Sequence, residues 1–280
     1  MESLGPFPLR VILVVLAILA GWLLARAIAR RLPESPHKMA GAWFLDAVLV
    51  GLLAARLGFV LRWWPEYSAA PLSMLAIGDG GFLWWIGLPV AVVFSWWRAR
   101  HLAALRRPLL AGIVAGMLAW LALGGTALLL RQSAPPLPTV ELSSLDGSPA
   151  QLEAYIGRPI VLNLWATWCP PCRREMPVLE DAQQRYPDVA FVLVNQGESQ
   201  AEVQSFLQQQ GLALQDVLLD PRSAVMRDTG SRALPTTLFF DANGRLVDTH
   251  MGELTRASLA STLRRRFGVS GGEVQPRTAQ

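Results

Sequence analysis

The stretch VLNLWATWCPPCRREMP, residues 161–177, holds both cysteines of this 280-residue chain, Cys169 and Cys172. An apolar run typical of a strand precedes the cysteines, and a run with helical spacing follows them. Such a pair can be a disulfide staple, half of a metal site or a redox pair. Zinc would need two further ligands, and a staple across two residues constrains the unfolded chain little. Because a redox Cys-x-x-Cys pair is expected between a strand and a helix, the sequence favours redox exchange.

The position of Cys169 at the end of this turn predicts which sulfur is the nucleophile. A helix that begins near Cys172 directs unpaired N–H groups and a positive dipole end towards the Cys169 sulfur. We therefore expect the pKa of Cys169 to fall below the free value of about 8.5. Its thiolate would attack a substrate disulfide, and Cys172 would resolve the mixed disulfide. Pro170 and Pro171 lack N–H donors and stiffen the turn.

Strand and helix patterns alternate around this stretch, which predicts an α/β domain. Buried-strand patterns cover residues 159–165 and 189–196, and a hairpin pattern covers 236–251. Helical spacing follows the cysteines and places Met176, Leu179 and Ala182 on one face. The predicted helices cover residues 173–186, 200–211 and 254–267.

The first half of the chain has the composition of a membrane domain. Hydrophobic residues make up 52% of the chain and charged residues only 16%, whereas about a quarter is usual in soluble proteins. Four stretches approach the roughly 20 apolar residues that a membrane-spanning helix needs. The first could instead be a signal peptide, but it lacks a basic start. The predicted spans are Leu9–Ala29, Ala42–Leu61, Gly78–Trp97 and Leu109–Leu130.

Charge in the connecting loops predicts the orientation of these spans. Lys and Arg outnumber Asp and Glu by twelve to five in residues 1–138, whereas residues 139–280 carry thirteen against sixteen. The basic residues cluster in the loops after spans one and three, which the positive-inside rule assigns to the cytoplasm. Both termini and the second half would then lie in the periplasm of a bacterial cell. Arginines confined to short loops between apolar runs also argue against a nucleic-acid partner.

These patterns divide the chain into a multi-pass α-helical membrane domain followed by an α/β domain. A Pro-rich stretch separates the two and favours an extended spacer. The predicted ranges are a four-span domain at 1–131, a Pro-rich linker and entry to the soluble domain at 132–150, the α/β domain at 151–267 and a disordered tail at 268–280.

The second half resembles the thioredoxin fold, in particular its membrane-tethered TlpA/ResA/CcmG branch. The likeness is carried by VLNLWATWCPPCRREMP, by VNQGES at 194–199 and by ALPTTLFFDANGRLV at 233–247. It implies a periplasmic disulfide reductase that acts on protein disulfides, often in cytochrome c maturation or copper-site assembly. It also implies re-reduction by a DsbD-type membrane protein, with neither metal nor cofactor.

The resemblance assigns a substrate-binding role to Trp168 and to the loop around Pro235. Pro235 matches the family's cis-proline, which would lay the backbone of Leu234 to Thr236 beside Cys169 for pairing with substrate. The alternative for Pro235 is an ordinary trans turn proline. Trp168 matches the tryptophan before the first cysteine.

The resemblance assigns a catalytic role to Glu175. One helical turn past Cys172, its carboxyl group would exchange protons with the resolving thiol. The alternative is an exposed acid favoured by the helix dipole. Trp165 and Trp168 are expected to shield the cysteine pair, although Trp165 could equally be a core residue.

The first half resembles the early helices of prolipoprotein diacylglyceryl transferase, through FLDAVLVGLLAARLGFVL (44–61) and IGDGGFLWWIGL (77–88). Arg56 matches the family's arginine, but Trp85 stands where the family has a histidine. Because an indole cannot do acid–base chemistry, we expect a lipid-binding or helix-packing scaffold instead of a transferase.

Intramembrane polar and small residues leave alternatives open. Asp46 and Arg56 lie in the second span, where ionised groups are functional candidates. They could also sit near the headgroups and snorkel. Gly112 and Gly116 form a GxxxG pair that packs helices closely or occurs by chance.

The favoured function is thus a protein-disulfide oxidoreductase, with reduction as the favoured direction. An oxidase or isomerase of the same fold is the first alternative, because Pro-Pro between the cysteines does not fix the redox potential. The second alternative is a lipid-binding membrane protein with a redox-sensing domain.

Overall fold

The computed structural model describes residues 3–4, 7–32, 37–130 and 136–270. Within these ranges the chain forms two compact units. One unit is built from the helices of the first half, and the other contains the sheet of the second half.

The first unit consists mainly of long apolar helices. Among the described residues, three segments are long and apolar enough to cross a membrane: Val11–Ala29, His37–Arg62 and Ala103–Gly125. They coincide with three of the four predicted spans. The elements are β1 (Ser3–Leu4), β2 (Phe7–Pro8), α1 (Leu9–Ala29), α2 (His37–Arg62), α3 (Trp64–Ser68), α4 (Trp84–Arg98) and α5 (Arg106–Leu130). A short 3₁₀ helix covers Ala103–Leu105. Two further 3₁₀ helices, Pro71–Leu75 and Ile77–Asp79, are grouped with the second unit.

The prediction of one continuous span over residues 78–97 is wrong at its start. Gly80 adopts a φ of 72°, and the chain stays non-helical until Trp84. A side chain at Gly81 would meet the Phe59 ring at 2.5 Å, and the Leu83 N–H donates to the Ala55 carbonyl at 3.1 Å. The helix that follows has 15 residues, or about 22 Å, which is short for a span. The four-span count therefore remains a prediction.

The GxxxG pair in α5 does pack closely against a neighbouring helix. A Cβ atom on Gly112 would lie 2.8 Å from the Gly21 carbonyl oxygen, and one on Gly116 would lie 3.1 Å from the Ala17 carbonyl oxygen. Because any larger residue would collide with this backbone, glycine lets α1 and α5 approach each other.

The second unit contains a seven-stranded sheet in the order β4-β3-β7-β6-β5-β8-β9. Strands β5, β6 and β7 are parallel, and the remaining pairs are antiparallel. The strands are β3 (Leu142–Ser144), β4 (Pro149–Ala150), β5 (Ile160–Trp165), β6 (Ala190–Gln196), β7 (Val217–Asp220), β8 (Thr236–Phe240) and β9 (Leu246–Met251). The helices are α6 (Pro170–Arg185), α7 (Gln200–Gln210), α8 (Ala224–Asp228) and α9 (Arg256–Phe267), with a 3₁₀ helix at Leu152–Tyr155.

Side chains of the central strand β5 alternate between two core layers, as the period of a strand requires. Val161 and Trp165 belong to the layer that contains both cysteines, whereas Leu162 and Leu164 belong to the opposite layer. Asn163 shares its face of the strand with Val161 and Trp165. The predicted inner face of α6 is confirmed, since its three apolar residues are buried in the cysteine layer: Met176, Leu179 and Ala182.

The segment predicted as linker and entry to the soluble domain already contributes to the sheet unit. The Leu137 N–H donates to the Gly244 carbonyl at 2.9 Å, and Leu137 is buried in the core. Residues 136–150 thus belong to the sheet unit, because they supply β3, β4 and core contacts. Residue 131 of the predicted four-span domain, residues 132–135 of the predicted linker and residues 271–280 of the predicted tail lie outside the described residues. The sequence reading also missed β7, whose four residues are too few for a clear pattern.

Candidate active site

The two cysteines form a disulfide at the amino end of α6. The helix begins at Pro170, two residues before the predicted start, and Cys169 is its N-cap. The Cys172 N–H points at the Cys169 sulfur, with 3.3 Å between nitrogen and sulfur. Cys169 retains 3% of its exposure and Cys172 none. The helix amino end therefore already donates to the sulfur that the sequence identified as the nucleophile.

The two tryptophans near the cysteines have different environments. Trp165 is fully buried and packs against Phe206, with ring centres 5.6 Å apart. It is therefore a core residue. Trp168 is 68% exposed, so it offers an apolar surface beside Cys169 instead of a lid over it.

The Leu234–Pro235 peptide bond is cis, as the sequence reading expected. In the register of β5 and β8, Thr236 pairs with Leu164, so the Pro235 loop and the cysteine loop lie at the same edge of the sheet. Leu234 packs against the core layer that contains both cysteines.

The groups of this loop are not equally open to substrate. The Pro235 carbonyl accepts the Gly252 N–H at 2.9 Å. Thr236 is buried, and its hydroxyl donates to the Ala233 carbonyl at 2.7 Å. Among the backbone hydrogen bonds outside helices and strands, none joins Leu234 to the described part of the chain. Pairing of substrate with the main chain of Leu234 therefore remains a prediction.

Glu175 is fully buried, which excludes the alternative of an exposed first-turn acid. Its Oε1 accepts the Asn163 side-chain amide at 2.8 Å, and its Oε2 accepts the Leu254 N–H at 2.8 Å. Burial raises the pKa of Glu175 to about 8, because loss of water disfavours the charged carboxylate. The two hydrogen bonds lower the pKa by less, and the nearby Glu253 charge raises it further. A carboxyl group with this pKa can accept or release a proton near neutral pH.

Asn163 is a supporting residue that the sequence reading missed. Its buried side-chain amide also donates to the Thr237 hydroxyl at 3.0 Å, so it joins β8 to Glu175. A signal was present, because Asn163 is the one polar residue in the apolar run of β5. Without the register of β5 and β8, nothing showed what that amide contacts.

Glu198 is a second residue that the sequence reading left without a role. Its Oε2 accepts the Thr167 N–H at 2.7 Å and the Asn195 side-chain amide at 2.6 Å. Its Oε1 accepts the Thr167 hydroxyl. Thr167 lies two residues before Cys169, so this carboxylate ties the cysteine loop to the end of β6. The GES triplet at 197–199 was the signal available in the sequence.

Replacing Glu198 by glutamine is expected to slow disulfide exchange about tenfold, because misplacement of a reacting group weakens catalysis. An amide offers fewer acceptor sites for the three donors and turns its own N–H group towards one of them. The measurement is steady-state turnover of a disulfide substrate. Glu202→Gln is the matched control, since the side-chain hydrogen bonds of Glu202 within the described residues go to Ser199, at the start of α7. Equal rates for both variants would contradict the role of Glu198.

The transferase-like residues lie in the first unit. The Arg56 Nη1 donates to the Gly81 carbonyl at 3.1 Å, and the guanidinium faces the Tyr67 ring at 5.5 Å and the Phe82 ring at 5.8 Å. Trp85 is exposed on α4, and Asp46 is exposed on α2. Arg56 is thus tied to the segment after α3 instead of snorkelling freely.

Within the described ranges, no group of three or more His, Cys, Asp or Glu residues could hold a metal ion. The chemistry that these residues support is thiol–disulfide exchange through Cys169 and Cys172, and the role of Glu175 as a proton acceptor remains a prediction.

Two family models match this chain, one over the helical first half and the other over the sheet-containing second half. Residues 132–263 match the Redoxin family model, and residues 2–126 match that of prolipoprotein diacylglyceryl transferase. A thioredoxin-like protein YneN of Bacillus subtilis is 33% identical over 136 residues, which cover 47% of this chain and 79% of that protein. The thiol-disulfide oxidoreductase ResA of Geobacillus thermodenitrificans is 34% identical over 128 residues, covering 45% and 73%.

A solved structure of a putative thiol:disulfide interchange protein DsbE from Chlorobium tepidum is 26% identical, with a TM-score of 0.43. The aligned region covers 47% of this chain and 94% of the Chlorobium tepidum chain. Since a third of the residues are shared with YneN and ResA over most of their length, this chain belongs to the thioredoxin-like family of thiol-disulfide oxidoreductases.

Proposed function

We propose that the protein is a membrane-anchored reductase of protein disulfides whose redox domain lies in the periplasm. The observation that carries the proposal is the Cys169–Cys172 pair at the amino end of α6, backed by the buried carboxyl group of Glu175. Trp168 and Leu234 form the substrate-binding surface beside the pair, and Pro235 and Thr236 hold its shape.

Reduction proceeds by two successive thiol–disulfide exchange steps. In the first, the Cys169 thiolate bonds to one sulfur of the substrate disulfide, and the other substrate sulfur leaves as a thiolate. In the second, Cys172 passes its proton to Glu175 and attacks the Cys169 sulfur, which releases the reduced substrate. The Cys169–Cys172 disulfide is re-formed, and two electrons have moved to the substrate.

Loop charge supports the periplasmic location. The arginine-rich connections after α1 and α4 favour the cytoplasm under the positive-inside rule, which leaves the redox domain outside. The first half of the chain contains no cysteine, so electrons cannot reach Cys169 through thiols of the helical unit. We propose a separate DsbD-type protein as the electron donor, and clients in cytochrome c maturation or copper-site assembly.

The transferase-like unit is proposed to bind membrane lipid and anchor the redox domain. Its match to the transferase family supports contact with lipid. Transferase chemistry is not proposed, because Trp85 stands where that family has a histidine.

The direction of electron flow is tested with the full chain in detergent. We expect the dithiol form to reduce insulin disulfides with turnover when a chemical reductant is supplied. Equilibration with glutathione is expected to give a reduction potential well below that of disulfide oxidases, which lie near about −120 mV. A potential above about −150 mV would favour the oxidase alternative. Absence of turnover with any disulfide would favour the redox-sensing alternative.

A further inference from the structure

Four of the arginines in the described part of the first unit each face a tryptophan ring. The Arg Cζ to ring-centre distances are 4.6 Å for Arg26 over Trp22 and 4.4 Å for Arg98 over Trp43. A second pair of stacks follows the same pattern. Arg100 lies 4.7 Å from the centre of Trp97, and Arg106 lies 4.4 Å from that of Trp96. We call these eight residues the arginine–tryptophan collar.

All four stacks lie at one end of the helical unit. A Cβ atom on Gly41 would lie 3.0 Å from the Trp22 Nε1 and 3.1 Å from the Arg26 side chain, so the start of α2 meets the end of α1. Arg98 on Trp43 joins the end of α4 to the start of α2, and Arg106 on Trp96 joins the start of α5 to the end of α4.

A buried apolar cluster supports the collar from within. It holds the four helix ends together, so the stacked rings stand on packed backbone instead of on loose loops. Its members are Ala25, Ala29, Ala40, Phe44, Ala99, Leu105 and Leu109.

The collar arginines keep most of their donor groups for a ligand, although the Arg100 Nε donates to the His101 ring at 2.8 Å. Within the described residues none of them forms an ion pair with a carboxylate, whereas Asp181 and Asp248 pair with arginines of the second unit. Stacking occupies the face of a guanidinium and leaves its N–H edge available for a planar, bidentate contact. In sequence, residues 26–38 and 98–107 contain eight Lys or Arg and one acid, Glu34.

Apolar side chains beside the collar favour a lipid over a soluble anion. Leu23, Leu45 and Leu102 are each at least 43% exposed near the stacked rings. Tryptophans with a polar neighbour are typical of the boundary between headgroups and acyl chains. A phosphodiester headgroup would meet the guanidinium edges while its acyl chains covered the leucines.

We propose that the arginine–tryptophan collar is a binding surface for anionic phospholipid headgroups. This deepens the lipid-binding role proposed above and is independent of the redox reaction. Stacked guanidinium groups are held in place before the lipid arrives, so less side-chain entropy is lost on binding.

The test measures lipid affinity of the full chain in detergent by native mass spectrometry, with phosphatidylglycerol and phosphatidylcholine as probes. We expect about tenfold tighter binding of phosphatidylglycerol. Changing all four collar arginines to lysine keeps the loop charge, and so the predicted orientation, but removes the planar stack. This variant should retain at most about a threefold preference, while Arg62→Lys, at the opposite end of α2, should leave the preference unchanged.

Equal affinity for the two lipids, or a full preference in the four-lysine variant, would overturn the proposal. Displacement of phosphatidylglycerol by millimolar inorganic phosphate would also overturn it, because it would show a free-anion site. If the four-lysine variant does not fold, Arg98→Lys and Arg106→Lys are measured singly, and each should lower the preference about twofold. Insulin reduction by the same variants should be unchanged, which separates failure of this proposal from failure of the reductase assignment.

Discussion

Cys169→Ser is expected to lower disulfide turnover by at least about a thousandfold. The chain has only two cysteines, and a serine hydroxyl ionises far less readily than a thiol, so no other group can replace the nucleophile. The Cys172 N–H that now contacts the Cys169 sulfur would stabilise its thiolate after reduction. Steady-state reduction of insulin by the full chain measures the loss.

Cys172→Ser separates the attacking sulfur from the resolving one. Cys172 has no exposed surface, so substrate reaches Cys169 first, and the mixed disulfide then has no internal thiol to resolve it. We expect covalent adducts on Cys169 that a reductant releases, visible by mass spectrometry. Arg174→Ser, an exposed change on the same helix, should form no such adducts. Adducts on Cys172 in the Cys169→Ser variant would reverse the assignment.

Glu175→Gln is expected to lower turnover about a hundredfold, in the range that general acid–base groups contribute. Cys172 and Glu175 lie three residues apart on α6 and therefore share a helix face. Glutamine preserves the shape and one acceptor oxygen but cannot take the proton of Cys172. Rates measured from pH 5 to pH 10 should show an inflection near pH 8 in the wild-type protein, and this inflection should vanish in the variant.

The raised pKa of Glu175 also predicts how stability depends on pH. The pKa is about 8 in the folded protein against an ordinary 4.5, so the folded state favours the neutral carboxyl group. Its contribution to stability is complete below about pH 4.5, declines as pH rises, and is lost above about pH 8. At about 1.4 kcal/mol for each pKa unit, the loss amounts to a few kcal/mol.

Denaturant unfolding of the oxidised chain at several pH values measures this effect. The free energy of unfolding of Glu175→Gln, relative to that of the wild type, should increase steadily between pH 5 and pH 8. Glu180→Gln is the control, because Glu180 lies on the same helix and, in the part of the chain that the structure describes, accepts a surface hydrogen bond from the Ala213 N–H. A constant difference between wild type and Glu175→Gln across this pH range would show that Glu175 has an ordinary pKa.

The chemistry of the site could be predicted from residues close together in sequence. The spacing of Cys169 and Cys172 and the helical pattern after them were sufficient, because N-capping depends on the first turn of one helix. The membrane helices were predictable for the same reason, since length and apolar content are local properties. The exact start of α4 was not, because it depends on the contact of Gly81 with Phe59 across two segments.

The supporting residues of the site could not be predicted in this way. The sequence pattern was compatible with an exposed Glu175. Its burial depends on hydrogen bonds from the Asn163 amide and the Leu254 N–H, which lie 12 and 79 residues away in sequence. Glu198 reaches Thr167 across 31 residues. These contacts depend on strand register, which a short sequence pattern does not specify.

Local patterns were therefore enough to predict the reacting groups, the helix that activates them and the membrane character of the first half. The side chains that surround those groups became known from the folded arrangement alone. The physical reason is that a thiol pair within one helical turn acts through local dipoles, whereas burial of a carboxyl group requires sheet, helix and loop to close around it.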